Sequence, residues 1–138
     1  VADGSRAARR PAAPGGGDDI VRWSERLEVS GAAAHVYTEC ARSWNPIHTD
    51  IAVARAAGLP RPILHGTATL ALAVSRVVAR DLGGDPARAR HIAARFTGMV
   101  PMPSTLTVRG LAGGGDTVRF DAVDAAGRPV LAQGEISA

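Results

Sequence analysis

Residues 67–80 constrain the fold more than any other part of the chain, because a helix formed by them would be apolar almost all round. Their larger apolar positions are Leu70, Leu72, Val74, Val77 and Val78. A helix without a polar face must be buried. About four turns of helix are too short to cross a bilayer, which needs about 20 residues. We therefore expect a central helix that the rest of a small domain wraps.

The segments around this helix predict a mixed α+β domain. Upstream, the pattern predicts a strand at 26–30, a helix at 32–41, a loop at 45–48 and a helix at 51–57. Thr49 or Asp50 can cap that last helix, and Gly58 is placed to end it. Downstream, segments 92–96, 105–109, 117–123 and 129–137 read as strands separated by Gly and Pro turns. An antiparallel sheet curled around one long buried helix is the "hot dog" arrangement.

The first 19 residues differ from the rest in composition. They contain Pro11, Pro14 and a run of glycine at 15–17, with no apolar periodicity. Such a stretch is typical of a disordered tail or a linker between domains. Residues 20–138 are then one domain, which agrees with the total of 138 residues.

The basic side chains are all arginine. Lys and Arg together number 16, none of them Lys, and the net charge is +3. This bias is typical of high-GC coding, as in actinobacteria, and it excludes a catalytic lysine. With only 4% aromatic residues there is no stacking platform for bases, so nucleic acid is not expected as a partner. A modest positive field suits an anionic small substrate.

The lone cysteine, Cys40, excludes an internal disulfide and a Cys-based zinc site. We expect it to be a small buried residue. The sequence has no HExxH motif or Cys/His cluster, so neither a metal nor a cofactor is expected. It also lacks an apolar run that would span a bilayer and an apolar N-terminal signal region, which favours a cytoplasmic protein with no membrane contact.

Two motifs carry the chemistry: SWNPIHTD at 43–50 and PILHG at 62–66. With the segment 95–106, they resemble the MaoC-like (R)-specific enoyl-CoA hydratase/dehydratase family, which has the hot-dog fold. The signature of that family is Gly-Asp-x-Asn-Pro-(Leu/Ile)-His, followed by a His-Gly pair that opens the central helix. Residues 45–48 match the first part, and His65 with Gly66 matches the second.

The resemblance implies a hydratase or dehydratase acting on acyl thioesters of CoA or of an acyl-carrier protein. His48 would be the acid/base, while Ser43 and Asn45 would order the water. The free N–H of Gly66 at a helix start suits an enolate oxygen. Further candidates for substrate contact are Trp44, His65 and Tyr37. The resemblance also implies a homodimer or a double hot dog with active sites at the interface, and a basic surface that meets the CoA phosphates.

One departure from the signature leaves the function open. The Asp that activates water in the family is Ser43 here, and the preceding Gly is Arg42. Serine cannot take a proton near neutral pH without a base beside it. Glu39 is the one nearby carboxylate that could replace the Asp, since Asp50 fits a helix cap better. The alternative is a non-catalytic or repurposed domain: a structural partner of a catalytic subunit, an acyl-thioester binder, or a cyclase or isomerase of secondary metabolism.

Overall fold

A computed structural model describes residues 19–137, so the predicted tail at 1–19, apart from Asp19, lies outside the described residues. The strands are β1 (Val21–Val29), β2 (His91–Phe96), β3 (Ser104–Leu111), β4 (Thr117–Asp124) and β5 (Pro129–Ser137). The helices are α1 (Ala33–Ala41), α2 (Ile51–Ala56) and α3 (Gly66–Asp81), with 3₁₀ turns at Pro46–His48 and Pro86–Arg88. None of the described helices has the length and apolar character needed to span a membrane.

The strands form one antiparallel sheet of five in the order β1-β3-β4-β5-β2. Helix α3 packs against the central strands β3 and β4. The largest fully buried side chains between these layers are Phe120, Leu106, Leu131, Ile136 and Val77. This architecture is the predicted α+β hot-dog fold, in which the sheet curls around one long helix.

Strand β1 is longer than the sequence predicted. It begins at Val21 and pairs with β3 almost along its length, from Val21 opposite Leu111 to Val29 opposite Ser104. The first half of β1 contains charged residues and was not predicted as a strand. Arg22 and the indole N–H of Trp23 both donate hydrogen bonds to the carboxylate of Asp81 at the end of α3. Pairing with β3 therefore determines where β1 begins, despite the charged residues at its start.

Cys40 was expected to be buried, and the structure shows it exposed. The buried residues of α1 are Ala34 and Thr38, which lie one turn apart. Successive helical residues are rotated by about 100°. Cys40 therefore points away from the face that Thr38 presents to the core.

Helix α3 buries one face and leaves the other open in this chain. Its buried residues are Ala68, Thr69, Ala73, Val77 and Val78. The opposite face, with Leu70, Ala71 and Val74, lines an apolar groove of about 590 Å³. Ile92 of β2 forms part of the other wall. Complete burial of the helix would therefore require something in that groove.

The groove continues to a free sheet edge. Strand β2 is the last strand of the order and pairs with β5 on its inner side. Its side chains Ile92 and Phe96 are exposed although they are large and apolar. An unpaired edge with apolar side chains is a surface that proteins usually cover.

Arg42 occupies the left-handed region at the end of α1, with φ 53° and ψ 39°. This conformation costs an L-residue about 1–2 kcal/mol because of steric contact of its Cβ. Glycine avoids that cost, but it loses more conformational entropy on folding, which offsets part of the gain. We expect Arg42→Gly to raise the free energy of unfolding by about 0.5–1 kcal/mol, measured by urea denaturation. Arg42→Ala is the control, because it removes the charge and keeps the strain. An equal gain in both variants would assign the effect to charge.

Candidate active site

The SWNPIHTD motif folds as a turn and a capped helix. The side-chain oxygen of Asn45 accepts the Ile47 N–H at 3.2 Å, which starts the 3₁₀ turn that carries His48. Asp50 then accepts the N–H groups of Ala52 and Val53 and caps α2, as the sequence predicted. Both polar side chains thus shape the backbone on either side of His48.

His48 is half-buried and has one ring nitrogen fixed. Its Nδ1 lies 2.7 Å from the carbonyl oxygen of Ile63. A carbonyl oxygen only accepts, so Nδ1 carries the proton, and in the neutral ring Nε2 holds the lone pair. The Ile63 carbonyl is itself held in place, because Leu64 N–H donates to Val100 and Met102 N–H donates to the Pro62 carbonyl. The ring is therefore oriented as a base with Nε2 available.

His65 lies directly against His48. The two imidazole rings are stacked, with centroids 3.8 Å apart and 23° between their planes. His65 is buried, at 4% exposure, and its Nε2 is 3.3 Å from both the Ser43 carbonyl oxygen and Thr38 Oγ1. Burial lowers the pKa of His65, against an opposing contribution from the hydrogen bond to Ser43, and the neighbouring His48 lowers it further.

Tyr37 connects α1 to the start of α3. Its hydroxyl donates to Thr67 Oγ1 at 2.8 Å, and its ring lies 4.7 Å from that of His65. The predicted substrate-contact residue is thus in the shell around the histidine pair. Trp44, by contrast, is 64% exposed.

Gly66 is the first residue of α3, so its N–H has no partner within the helix. The ring of Phe96 lies over it: a Cβ on Gly66 would be 3.2–3.7 Å from three atoms of that ring. Phe96 is 53% exposed, so this contact stands at the surface. The helix start is consequently reachable by a ligand, with an aromatic ring along one side.

The structure brings together most of the predicted site residues. Tyr37, Ser43, His48, His65 and Gly66 are joined by direct contacts or chain adjacency. Glu39 is exposed, and no hydrogen bond or ion pair joins it to His48 among residues 19–137. The described residues also contain no group of three or more His, Cys, Asp or Glu arranged to hold a metal ion.

Sequence reasoning missed three parts of the site: the Ile63 carbonyl, Thr38 and Phe96. The carbonyl leaves no trace in a sequence, since every residue has one. Thr38 could have been suspected from its position one turn after Ala34 on an apolar helix face. Phe96 lies in a segment that matched the family pattern, but nothing there indicated that it packs on Gly66.

Comparison with known proteins agrees with this arrangement. The sequence profile of the MaoC-like domain matches residues 18–132. The chain belongs to the MaoC-like domain family. The predicted resemblance is thereby confirmed over nearly all the described residues.

Two relatives illustrate the extent of the similarity. Peroxisomal enoyl-CoA hydratase 2 of Arabidopsis thaliana is 39% identical over 71 residues, which cover 51% of this chain and 23% of that protein. The crystal structure of a MaoC-like dehydratase from Phytophthora capsici superposes with a TM-score of 0.85 at 27% identity, covering 94% of this chain and 44% of that one. This MaoC-like chain thus spans less than half the length of either relative.

The (R)-hydratase of A. caviae has a more similar size. It superposes with a TM-score of 0.70 at 22% identity, over 85% of this chain and 93% of that one. At that identity the likeness concerns the fold alone.

Proposed function

We propose that this MaoC-like domain is a hydro-lyase that adds water to α,β-unsaturated acyl thioesters, or removes it from 3-hydroxyacyl thioesters. The observation that carries the proposal is the fixed His48 ring, whose Nδ1–H is bonded to Ile63 and whose Nε2 is left to act as a base. The names of the relatives support the same chemistry, since they include enoyl-CoA hydratases and a 3-hydroxyacyl-thioester dehydratase.

The mechanism follows from His48 and the start of α3. Nε2 of His48 takes a proton from water while the water oxygen attacks C3 of the enoyl thioester. The electron pair of the double bond moves towards the thioester carbonyl, whose oxygen becomes an enolate. The N–H of Gly66, at the positive end of the α3 dipole, donates to that oxygen. The imidazolium then returns its proton to C2, so that one water molecule has been added.

The remaining predicted residues surround this reaction. Ser43 and Asn45 lie on the loop before His48 and are proposed to order the water, although the Asn45 side-chain oxygen also serves the turn. Tyr37 and Trp44 are proposed to line the thioester site. The thioester of CoA or of an acyl-carrier protein is proposed to enter beside Phe96, whose side chain is exposed.

The acyl chain is proposed to lie in the apolar groove along α3. The groove starts at Thr67, the residue after Gly66, and runs past Leu70, Ala71 and Val74. An acyl chain attached to a carbonyl at Gly66 could therefore enter it directly. Because Ile92 of the edge strand lines the same groove, a second hot-dog domain paired along β2 would cover the chain. We propose such pairing, in a homodimer or a double hot dog.

We predict that the purified protein consumes (E)-2-enoyl-CoA substrates, from crotonyl-CoA to longer chains. The expected result is a loss of the conjugated thioester-alkene absorbance with formation of 3-hydroxyacyl-CoA, identified by mass spectrometry. Butyryl-CoA, which has no double bond, is the control and should remain unchanged. Absence of turnover at every chain length, in a folded protein of known oligomeric state, would contradict the proposal.

Ser43 favours a second candidate function. Without the signature Asp, the domain could bind an acyl thioester and not hydrate it, as a partner of a catalytic subunit, or could use His48 alone for a cyclisation or isomerisation. Calorimetric titration with enoyl-CoA separates these outcomes. Heat of binding without consumption indicates a binding domain, and consumption without a gain of 18 mass units, that of water, indicates rearrangement.

A further inference from the structure

His65 has a position that the reaction itself does not explain. It is buried, and it immediately precedes Gly66 at the start of α3. Its side chain contacts two points of the preceding loop: Nε2 reaches the Ser43 carbonyl oxygen at 3.3 Å, and the ring stacks on His48 at 3.8 Å. His65 thus contacts both ends of the loop at 43–48, and its backbone is adjacent to the N–H of Gly66, the proposed oxyanion donor.

The hydrogen bonds of His65 determine where its proton lies. Because the Ser43 carbonyl can only accept, Nε2 carries the proton. Thr38 Oγ1, also 3.3 Å from Nε2, shares that donor. The remaining nitrogen, Nδ1, is buried with no hydrogen-bond partner among the described residues. A proton on Nδ1 would add a buried charge and a buried, unpaired donor, both of which are costly.

The surroundings of His65 also disfavour a charge. The titratable groups that face its ring are His48 on the 3₁₀ turn and Tyr37 on α1, and neither is a carboxylate. Burial and the proximity of His48 both lower the pKa of His65. A neutral ring can stack on His48 in either protonation state of the latter without repelling it.

We propose that His65 is a positioning residue, which sets the placement of the His48 base relative to the Gly66 N–H and takes no part in proton transfer. The expected effect on kcat rests on the proposed hydration by His48. The expected placement of the His48 ring by His65 does not depend on it. At 4% exposure His65 is shielded from a ligand, so we place it behind His48 and not against substrate. Catalytic geometry tolerates little error, since a misplacement of about 1 Å can cost about 10²-fold in rate.

The first test is nuclear magnetic resonance of the resting full chain, labelled with ¹⁵N. The protein has four histidines, of which His35 and His91 are exposed and serve as references. We expect His65 to keep the Nε2–H tautomer and to titrate below the value of about 6.5 for an unperturbed imidazole. Titration of His65 at or above that value, or an Nδ1–H tautomer, would overturn the proposal.

The second test separates the two contacts of His65. His65→Gln keeps an amide donor for the Ser43 carbonyl and loses the ring, whereas His65→Phe keeps the ring and loses the donor. We expect each to lower kcat by about ten-fold or more with a small change in KM, and to weaken the preference of His48 for its Nδ1–H tautomer, read from its ring ¹⁵N shifts. His35→Gln, on the same helix as Thr38 but exposed, is the matched control and should change neither.

A merely structural role would lower the melting temperature of both variants but leave the kcat per folded molecule and the His48 tautomer unchanged, which would overturn the proposal. If neither variant folds, Thr38→Val removes the second Nε2 contact while keeping the side-chain volume, and the same readouts apply. If the wild type does not hydrate enoyl-CoA, the proposed function fails. The tautomers of His65 and His48 still decide the positioning role.

Discussion

His48→Asn should reduce the rate of enoyl-CoA hydration by about 10²–10⁴-fold, the usual contribution of a positioned base. The Nδ2 of asparagine can occupy the place of Nδ1 and keep the hydrogen bond to the Ile63 carbonyl, which is 2.7 Å long in the structure. The substitution therefore removes Nε2 and disturbs the loop little. Initial rates at saturating and subsaturating substrate should show the loss in kcat with a smaller change in KM.

The control for this variant is a test that it still folds and binds substrate. The melting temperature of His48→Asn should remain close to that of the wild type, and heat of binding to enoyl-CoA should persist. Hydration at the wild-type rate in His48→Asn would remove His48 from the mechanism and, with it, the main support for the proposed reaction.

Ser43→Asp should increase kcat by about 10²-fold, because it supplies a second group able to orient and deprotonate water. Ser43 is exposed, and its contact with His65 is through the main-chain carbonyl. A carboxylate there is therefore hydrated and need not disturb that hydrogen bond. The measurement is kcat for crotonyl-CoA between pH 6 and 8, compared with the unaltered protein under the same conditions.

Ser43→Asn is the matched control, since it has the size of aspartate without a charge. An equal rate in the two variants would attribute any gain to side-chain volume and contradict the acid–base interpretation. If the wild type is inert and Ser43→Asp alone creates turnover, the binding-domain alternative describes the natural protein.

Local rules in the sequence were enough for much of this structure. The Asp50 cap depends on the chemistry of a few neighbouring residues, as does the end of α2, where Gly58 has φ +85°. The prediction of α3 depends on the apolar residues concentrated at 67–80. These features were predictable because the energies that decide them act between residues close in the chain.

Contacts between segments distant in the chain could not be predicted from local sequence patterns. The contact between Phe96 and Gly66 joins a strand and a helix start that are 30 positions apart, and the His65–Ser43 bond uses a main-chain carbonyl. The extra length of β1 was hidden for the same reason, since its pairing with β3 outweighs the charged residues at its start. Tertiary context decides strand length more than local composition does.

The stacked histidines have a stereochemical consequence. Stacking on His65 and the hydrogen bond from Nδ1 to Ile63 fix the plane of the His48 ring, and the Nε2 lone pair lies in that plane and points in one direction. In the proposed reaction the same nitrogen withdraws the proton from water and delivers it to C2. If one nitrogen performs both steps, the new C–O and C–H bonds form on the same face of the double bond, so we expect the proposed addition of water to be syn.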